Sequence, residues 1–397
     1  MMGRRLIIEG LLRKWGLKME QYTHYRPTQV TIDLEAIRNN VRNLKKYGIV
    51  SGGVIAVVKA DGYGHGDVEV AAAALEAGAM MVSVATPDEA IRLRSKGIDG
   101  DILVMGPSPI TFAKKAAELG ITLMVADVGW LRQVLDESAE FKKQLKIHVK
   151  IDSGMGRIGL RDAGALRALI SLVECSDQFV LDGIFTHFSC ADEDRPYKTE
   201  EQFKLFMELV RMLPEKPRLV HASNSAATLL YPQFQLDAVR FGIGLYGIAP
   251  SEFVEGQLPF RLEKAMSIES ELAFVKKVEA NTAISYGGTY ETKAAEWIGT
   301  IPIGYADGLK RGLRGQEVLI GGERMPIIGT ICMDQCMVKL PREMSIGEKV
   351  VLIGRQGEEE IRLEEWAKRL DTIPYEIAVS IGRRIPRIYT GKERQHT

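Results

Sequence analysis

The chain has little cysteine, no surplus of charge of either sign and no long apolar run, and each shortage removes a class of function. Its four cysteines, Cys175, Cys190, Cys332 and Cys336, form neither a CxxC pair nor a Cys/His cluster at zinc-site spacing, so no metal site is expected. Reduced, buried cysteines are expected instead, which points to a reducing compartment, most simply the cytoplasm. Lys and Arg number 52 and Asp and Glu number 52, so the net charge is zero. The basic footprint of a nucleic-acid binder is therefore absent, although a local anion site leaves no mark on such a total. No apolar stretch reaches the roughly 18 to 20 residues of a membrane-spanning helix. In the opening MMGRRLIIEGLLRKWGLK, Glu9 interrupts the apolar stretch and no small-residue cleavage pattern follows. Residues 1–25 are therefore read as an irregular N-terminal extension, with Met19 just ahead of the patterned chain.

What is present is a long chain, 397 residues and 46% hydrophobic, too large for one ordinary core. Short runs rich in Val and Ile alternate with helix-like stretches of Ala, Leu, Glu and Lys. The runs are VIAVV (54–58), MMVSVA (80–85), DILVMG (101–106), ITLMVA (121–126), KIHVKID (146–152), LDGIFTHF (181–188), RLVHAS (218–223) and DAVRFGI (237–243). Continuously apolar strands alternating with helices mean a parallel sheet covered on both faces, and eight such units close naturally into a (β/α)8 barrel of the TIM type. An open doubly wound sheet is the competing arrangement. The expected fold class is thus α/β, with the barrel over 26–261. Beyond it β-type segments take over, such as SIESELAFVKKV, EWIGTIPIGYA and RMPIIGTICMDQCMVKL, and a predominantly β domain is expected over 262–391 with a tail at 392–397. No low-complexity linker separates the two, so they should touch directly.

A barrel presents its chemistry at the C-terminal ends of its strands. The first run ends in Lys59, followed by Ala-Asp-Gly-Tyr63-Gly-His65-Gly, and the fifth carries Lys150 and then Asp152-Ser-Gly-Met-Gly-Arg157. The sixth ends near His187, the seventh leads into Asn224 and Ser225, and the eighth holds Arg240, Gly242 and Ile243 within VRFGIGLYG. Taken alone, Lys59 reads as a rim lysine whose stem covers apolar surface. In this company, a desolvated amine with glycines behind it has the depressed pKa that Schiff-base chemistry requires. The glycine-rich 242–247 segment and the Asn224-Ser225 pair can offer N–H and hydroxyl donors to a phosphate. A dinucleotide reading of GxGxxG is poor, because the motif does not follow the first strand of a βαβ unit.

The segments AVVKADGYGHG, HVKIDSGMGRIGL, HFSCADE, ASNSAA, VRFGIGLYG, ISYGG, IGYADG and CMDQCMV, in this order, together resemble the alanine racemases, from about residue 28 to about residue 386. The resemblance implies pyridoxal 5'-phosphate as cofactor, interconversion of L- and D-alanine by two bases, D-alanine supply for peptidoglycan, and a cytoplasmic head-to-tail homodimer with a shared active site. It implies that Lys59 forms the Schiff base with the cofactor and then acts as base on one face of Cα. Tyr286, in ISYGG, resembles the opposite-face base, supplied across the dimer interface. Racemisation removes a proton from one side and returns it to the other, so two groups on opposite faces suit it.

Arg240 resembles the donor to the pyridine nitrogen, and a guanidinium there keeps that nitrogen unprotonated because it can only donate. His187 resembles the histidine beside the ring. Tyr63, Ser225, Gly242, Ile243 and Tyr375 resemble the phosphate ligands, with Asn224 as accessory. Arg157 and the backbone N–H of Met333 resemble the binders of the substrate carboxylate, and Lys150 resembles a lysine the family can carbamylate. Tyr305 and Asp192 look like access-corridor residues. A broad-specificity or serine racemase of the same fold is an alternative, because a methylene is worth only about 1 to 3 kcal/mol of discrimination. More distant alternatives are an amino-acid decarboxylase, which usually has an acidic group where Arg240 stands, and a non-catalytic cofactor-holding protein, which has the barrel alone.

Overall fold

The structure is a computed structural model that describes residues 24–137 and 141–391. Apart from His24 and Tyr25, the expected N-terminal extension lies outside the described residues, as does the 392–397 tail. The first strand, β1 (Gln29–Asp33), runs straight into helix α1 (Leu34–Lys46), whose start is set by Asp33: its carboxylate accepts the N–H groups of Glu35 and Ala36. Then come the eight barrel strands: β2 (Gly53–Val57), β3 (Met81–Val84), β4 (Asp101–Val104), β5 (Ile121–Val125), β6 (Leu145–Lys150), β7 (Phe179–Phe185), β8 (Leu219–His221) and β9 (Ala238–Phe241). They pair in sequence order as a closed barrel, with β9 returning parallel to β2 through Gly53–Ala238 to Ala56–Phe241. Each lies within or overlaps one of the eight apolar runs. Strands such as β3 and β5 are buried at every position, as strands covered on both faces must be.

The remaining strands are β10 (Met266–Glu271), β11 (Phe274–Val278), β12 (Ala283–Ile284), β13 (Tyr290–Glu291), β14 (Glu296–Ile301), β15 (Glu317–Ile320), β16 (Glu323–Ile328), β17 (Cys336–Leu340), β18 (Lys349–Gln356), β19 (Glu359–Ile361) and β20 (Arg387–Thr390). A ten-stranded sheet runs β11-β14-β17-β16-β15-β18-β10-β1-β20, with β19 beside β18, while β12 and β13 form a small separate hairpin. One strand departs from the expected partition. β1 lies inside the 26–261 stretch assigned to the barrel, yet it pairs antiparallel with β10 and parallel with β20. Its burial alternates, with Val30 and Ile32 fully buried and Thr31 between them partly exposed, the mark of a strand with one covered face.

The two parts touch directly, as the missing linker implied. Asn40 on α1 donates to the carbonyls of Leu245 and Glu263 while its own carbonyl accepts from Glu263 N–H. Arg26 forks onto Asp307 through two bonds of 2.9 Å. One apolar core runs through both, joining Val57 and Tyr63 to Ile377 and Ala378. The cysteines are free, as expected, but only Cys336 is buried; Cys175 is exposed because it stands at the C-terminal end of a surface helix, Ala163–Glu174.

Candidate active site

Lys59 stands one residue beyond the end of β2, after Val58, and opens an unusual turn. Ala60, Asp61, Gly62, Tyr63 and Gly64 have φ of 54, 56, 60, 51 and 80°, one turn of left-handed helix in which three residues carry a Cβ. Such residues cost roughly 1 to 2 kcal/mol each in this region, so surrounding contacts must hold the turn. They do. Helix α2 (Pro87–Ser95) begins with a capping box in which Thr86 and Glu89 satisfy each other's N–H groups. The same Glu89 carboxylate accepts Ala60 N–H at 2.7 Å and Ala85 N–H at 2.8 Å. Asp61 is paired with Arg92 at 3.2 Å. Lys59 is thereby fixed at the rim, half-buried, and burial lowers its pKa; Arg157 lowers it further and Glu89 opposes both.

Four cations share this rim. Burial, followed by Arg240, Lys150, Arg157 and Lys59 in that order, holds the His187 imidazole well below its ordinary pKa, so it is neutral. Lys150, at the end of β6, has its ammonium 4.6 Å from the centre of the Phe185 ring and no ion pair among the described residues. Burial and then Arg240 and Arg157 push its pKa well down. A pocket with this many cations and so few carboxylates suits a multiply anionic ligand.

Arg240 on β9 is buried, and its pKa is lowered to about 9 by burial and Arg157. It donates to the Thr186 and Ala222 carbonyls, each at 2.7 Å, and to His221 Nδ1 at 2.8 Å. That last bond dictates the rest. Since His221 Nδ1 accepts, its Nε2 carries the proton and donates to His148 Nδ1 at 3.0 Å, and His148 Nε2 donates to Asp182 at 3.0 Å. Burial lowers the pKa of both histidines, consistent with neutral rings. Burial alone would raise Asp182, but His148 and a forked Arg218, at 2.8 Å to each oxygen, hold it well below the ordinary carboxylate range.

On the other side of the rim lies a cradle of donors. Ser225 opens helix α3 (Ser225–Leu230), which Asn224 caps by accepting Ala227 N–H at 3.0 Å. Ser225 Oγ accepts Gly242 N–H at 2.9 Å. A Cβ on Gly242 would sit 2.9 Å from the Tyr63 hydroxyl, so only glycine leaves this space open. The Tyr63 ring lies 6.1 Å from that of Tyr375, in helix α4 (Pro374–Ser380), and burial raises the pKa of both, keeping them as hydroxyl donors. Ile243 follows Gly242 and is buried. A cavity of ≈ 940 Å³ opens elsewhere, between the barrel and the large sheet, with Lys46, Arg261, Lys264 and Arg362 balanced by acidic neighbours, and holds none of these groups.

Lys59, Lys150, Arg157, His187 and Arg240 thus converge, with Tyr63, Asn224, Ser225, Gly242, Ile243 and Tyr375 beside them. Tyr286 and Met333 stand apart: they are 75% and 53% exposed on the β part, and no hydrogen bond or ion pair among the described residues links them to the rim. They share a patch with Tyr305, whose N–H donates to Cys332 while Ala306 N–H donates to Met333. Asp192 is half-buried, and burial raises its pKa. Glu89, His148, Asp182 and His221 escaped the sequence reading. The histidines sit inside apolar runs, where only the density of histidine in barrel strands could have signalled them.

Comparison with known proteins agrees with this architecture. Residues 32–250 match the family model described as "Alanine racemase, N-terminal domain" and residues 265–389 match "Alanine racemase, C-terminal domain". The chain is 46% identical over 370 residues to an alanine racemase of Geobacillus kaustophilus (strain HTA426), covering 93% of this chain and 96% of that one. A crystal structure of alanine racemase from E. faecalis superposes with a TM-score of 0.89 at 41% identity, over 92% of this chain and 99% of the other. A histidine racemase from Leuconostoc mesenteroides subsp. sake NBRC 102480 superposes with a TM-score of 0.87 at 28% identity, over 94% and 100%. With matches over nearly its whole patterned length, the chain belongs to the alanine racemase family.

Proposed function

We propose that this protein interconverts L- and D-alanine with pyridoxal 5'-phosphate as cofactor, as a cytoplasmic homodimer that supplies D-alanine for peptidoglycan. The observation that carries this reading is the junction at one barrel rim of a desolvated lysine, three further cations and a hydroxyl and N–H cradle whose floor is a glycine. The donor set fits the cofactor. Tyr63, Ser225, Gly242, Ile243 and Tyr375, with Asn224, would hold the phosphate, His187 the ring face and Arg240 the ring nitrogen. When bound, the cofactor supplies the electron sink that stabilises the pair left on Cα after its proton departs.

The chain's own groups do the rest. Lys59 and Tyr286 exchange the Cα proton on opposite faces, Tyr286 being supplied by a second copy. Its exposure, and that of Met333 and Tyr305, supports a covered patch in the assembly. Arg157 and Met333 N–H orient the substrate carboxylate. Lys150, without an ion pair among the described residues and with its pKa pushed down by burial, is suited to add carbon dioxide: the ammonium gives one proton to solvent, the freed nitrogen pair bonds the carbon, a second N–H proton leaves to solvent, and the resulting anion pairs with Arg157. A second reading, a racemase of wider range, draws on the likeness to a histidine racemase.

The test is a chiral assay of the purified protein over a panel of L-amino acids. L-alanine should yield D-alanine, and Lys59→Ala should abolish both this and the visible absorbance of bound cofactor. Carbon-13 NMR in labelled bicarbonate reports the Lys150 adduct on the same sample. A colourless wild-type protein inert toward alanine would reject the proposal, and equal turnover of several amino acids would favour the wider range.

A further inference from the structure

The turn that carries Tyr286 is strained and is fastened from behind. Ser285 has φ 68° and ψ −178°, a region essentially reserved for glycine. Gly287 and Gly288 follow at φ 73 and 55°. The strands flanking this turn, β12 and β13, have two residues each, joined by Ala283–Glu291 and Ile284–Tyr290, too short a ladder to hold a strained loop alone. Such a backbone persists only where neighbours over-determine it.

Those neighbours lie between β16 and β17. Gly329 comes so close that a Cβ there would lie 2.9 Å from both the Ile284 carbonyl oxygen and Ser285 Cβ. Thr330, next to it and 9% exposed, makes three bonds to the turn. Its carbonyl accepts the Ser285 hydroxyl at 2.6 Å, and its hydroxyl donates to the Tyr286 carbonyl at 2.9 Å. Having spent its proton there, that hydroxyl accepts from Thr289 Oγ1 at 3.1 Å. The phenol of Tyr286 has no hydrogen bond of its own among the described residues, so its direction is set through the backbone.

We propose that Thr330 is a positioning residue for Tyr286: its hydroxyl clamps the strained turn and aims the phenol at the substrate Cα of the neighbouring copy. This rests on the reading of Tyr286 as the second base. A valine in its place keeps the shape and the carbonyl but removes the donor to Tyr286 and the acceptor for Thr289. A serine keeps both.

The experiment uses the holoenzyme with Thr330→Val, Thr330→Ser and Tyr286→Phe. Two quantities are read: amide hydrogen–deuterium exchange of the 283–291 peptide, and solvent deuterium uptake at Cα of each alanine enantiomer. Thr330→Val should speed amide exchange in the turn and slow uptake for one enantiomer by about tenfold while changing the other less than about twofold, as expected of a misaimed base. Thr330→Ser should resemble the wild type in both. Unchanged amide exchange in Thr330→Val, equal slowing of both enantiomers, or a serine variant as impaired as the valine one overturns the clamp. If Tyr286→Phe slows one enantiomer selectively and Thr330→Val does not, the base stands and the clamp falls. If Tyr286→Phe leaves both enantiomers unaffected, the base falls, and the amide exchange alone decides whether Thr330 holds the turn.

Discussion

Arg240 is a guanidinium with five N–H donors, three of which are held at 2.7 to 2.8 Å by its protein neighbours. Two carbonyls and His221 take its protons, and donation then runs outward from His221 through His148 to the Asp182 carboxylate, which also accepts from Arg218 on its far side. Both histidines are single-proton rings locked in one tautomer, which keeps His221 Nδ1 an acceptor for Arg240. Asp182 is the far anchor, and it also makes stability depend on pH. Its folded pKa lies below the ordinary 3.8, so its contribution is complete above that value and is lost as pH falls below about 4 toward the folded pKa. Asp182→Asn should remove this acid-range dependence and, by weakening charge-assisted bonds to His148 and Arg218, cost about 2 kcal/mol at pH 7. Urea unfolding at pH 3 and pH 7 checks both; a variant whose loss is the same at the two values contradicts the assignment.

At the scale of the element, the left-handed turn after β2 is where local preference yields to function. Ala60, Asp61 and Tyr63 are held at positive φ against their intrinsic preference, and the carboxylate of Glu89 is the main brace. Glu89→Ala leaves the N–H groups of Ala60, Ala85 and Thr86 without their acceptor and should destabilise the protein by roughly 2 kcal/mol, with weaker cofactor retention because the turn carries Lys59. Ala60→Gly should move the other way and stabilise by up to about 1 kcal/mol, since glycine accepts this backbone without strain. Thermal melts with cofactor absorbance read alongside would show it, and a Glu89→Ala protein that melts and holds cofactor like the wild type would refute the brace. The motif around Lys59 was plain in the sequence; the handedness of the turn was not, because a string of small residues and glycines is compatible with many backbones.

For the whole molecule, the rim cluster belongs to the barrel while Tyr286 and Met333 belong to the β part and face outward. If one site draws on two copies, Lys59→Ala and Tyr286→Phe each disable both sites of their own dimer. A mixed dimer carries both lesions in one site and neither in the other. Re-equilibrated equal mixtures, half of them hybrids, should therefore recover roughly a quarter of wild-type activity. Activity no greater than the mean of the two parents would mean that each chain is self-sufficient.

The sequence by itself determined the eight apolar runs, the order in which they carry Lys59, Lys150, His187, Ser225 and Arg240 to one rim, and the change of texture beyond residue 261. These are local properties: a run buried on both faces needs no knowledge of its neighbour, and a strand end follows from the run before it. Tertiary structure alone decided that β1 leaves the barrel's company for β10 and β20, that His148 and His221 stand behind Arg240, and that Thr330 meets the Tyr286 turn. Each depends on a partner far away in the chain. Hydrogen-bond direction and close approach exist only once both partners have been brought together.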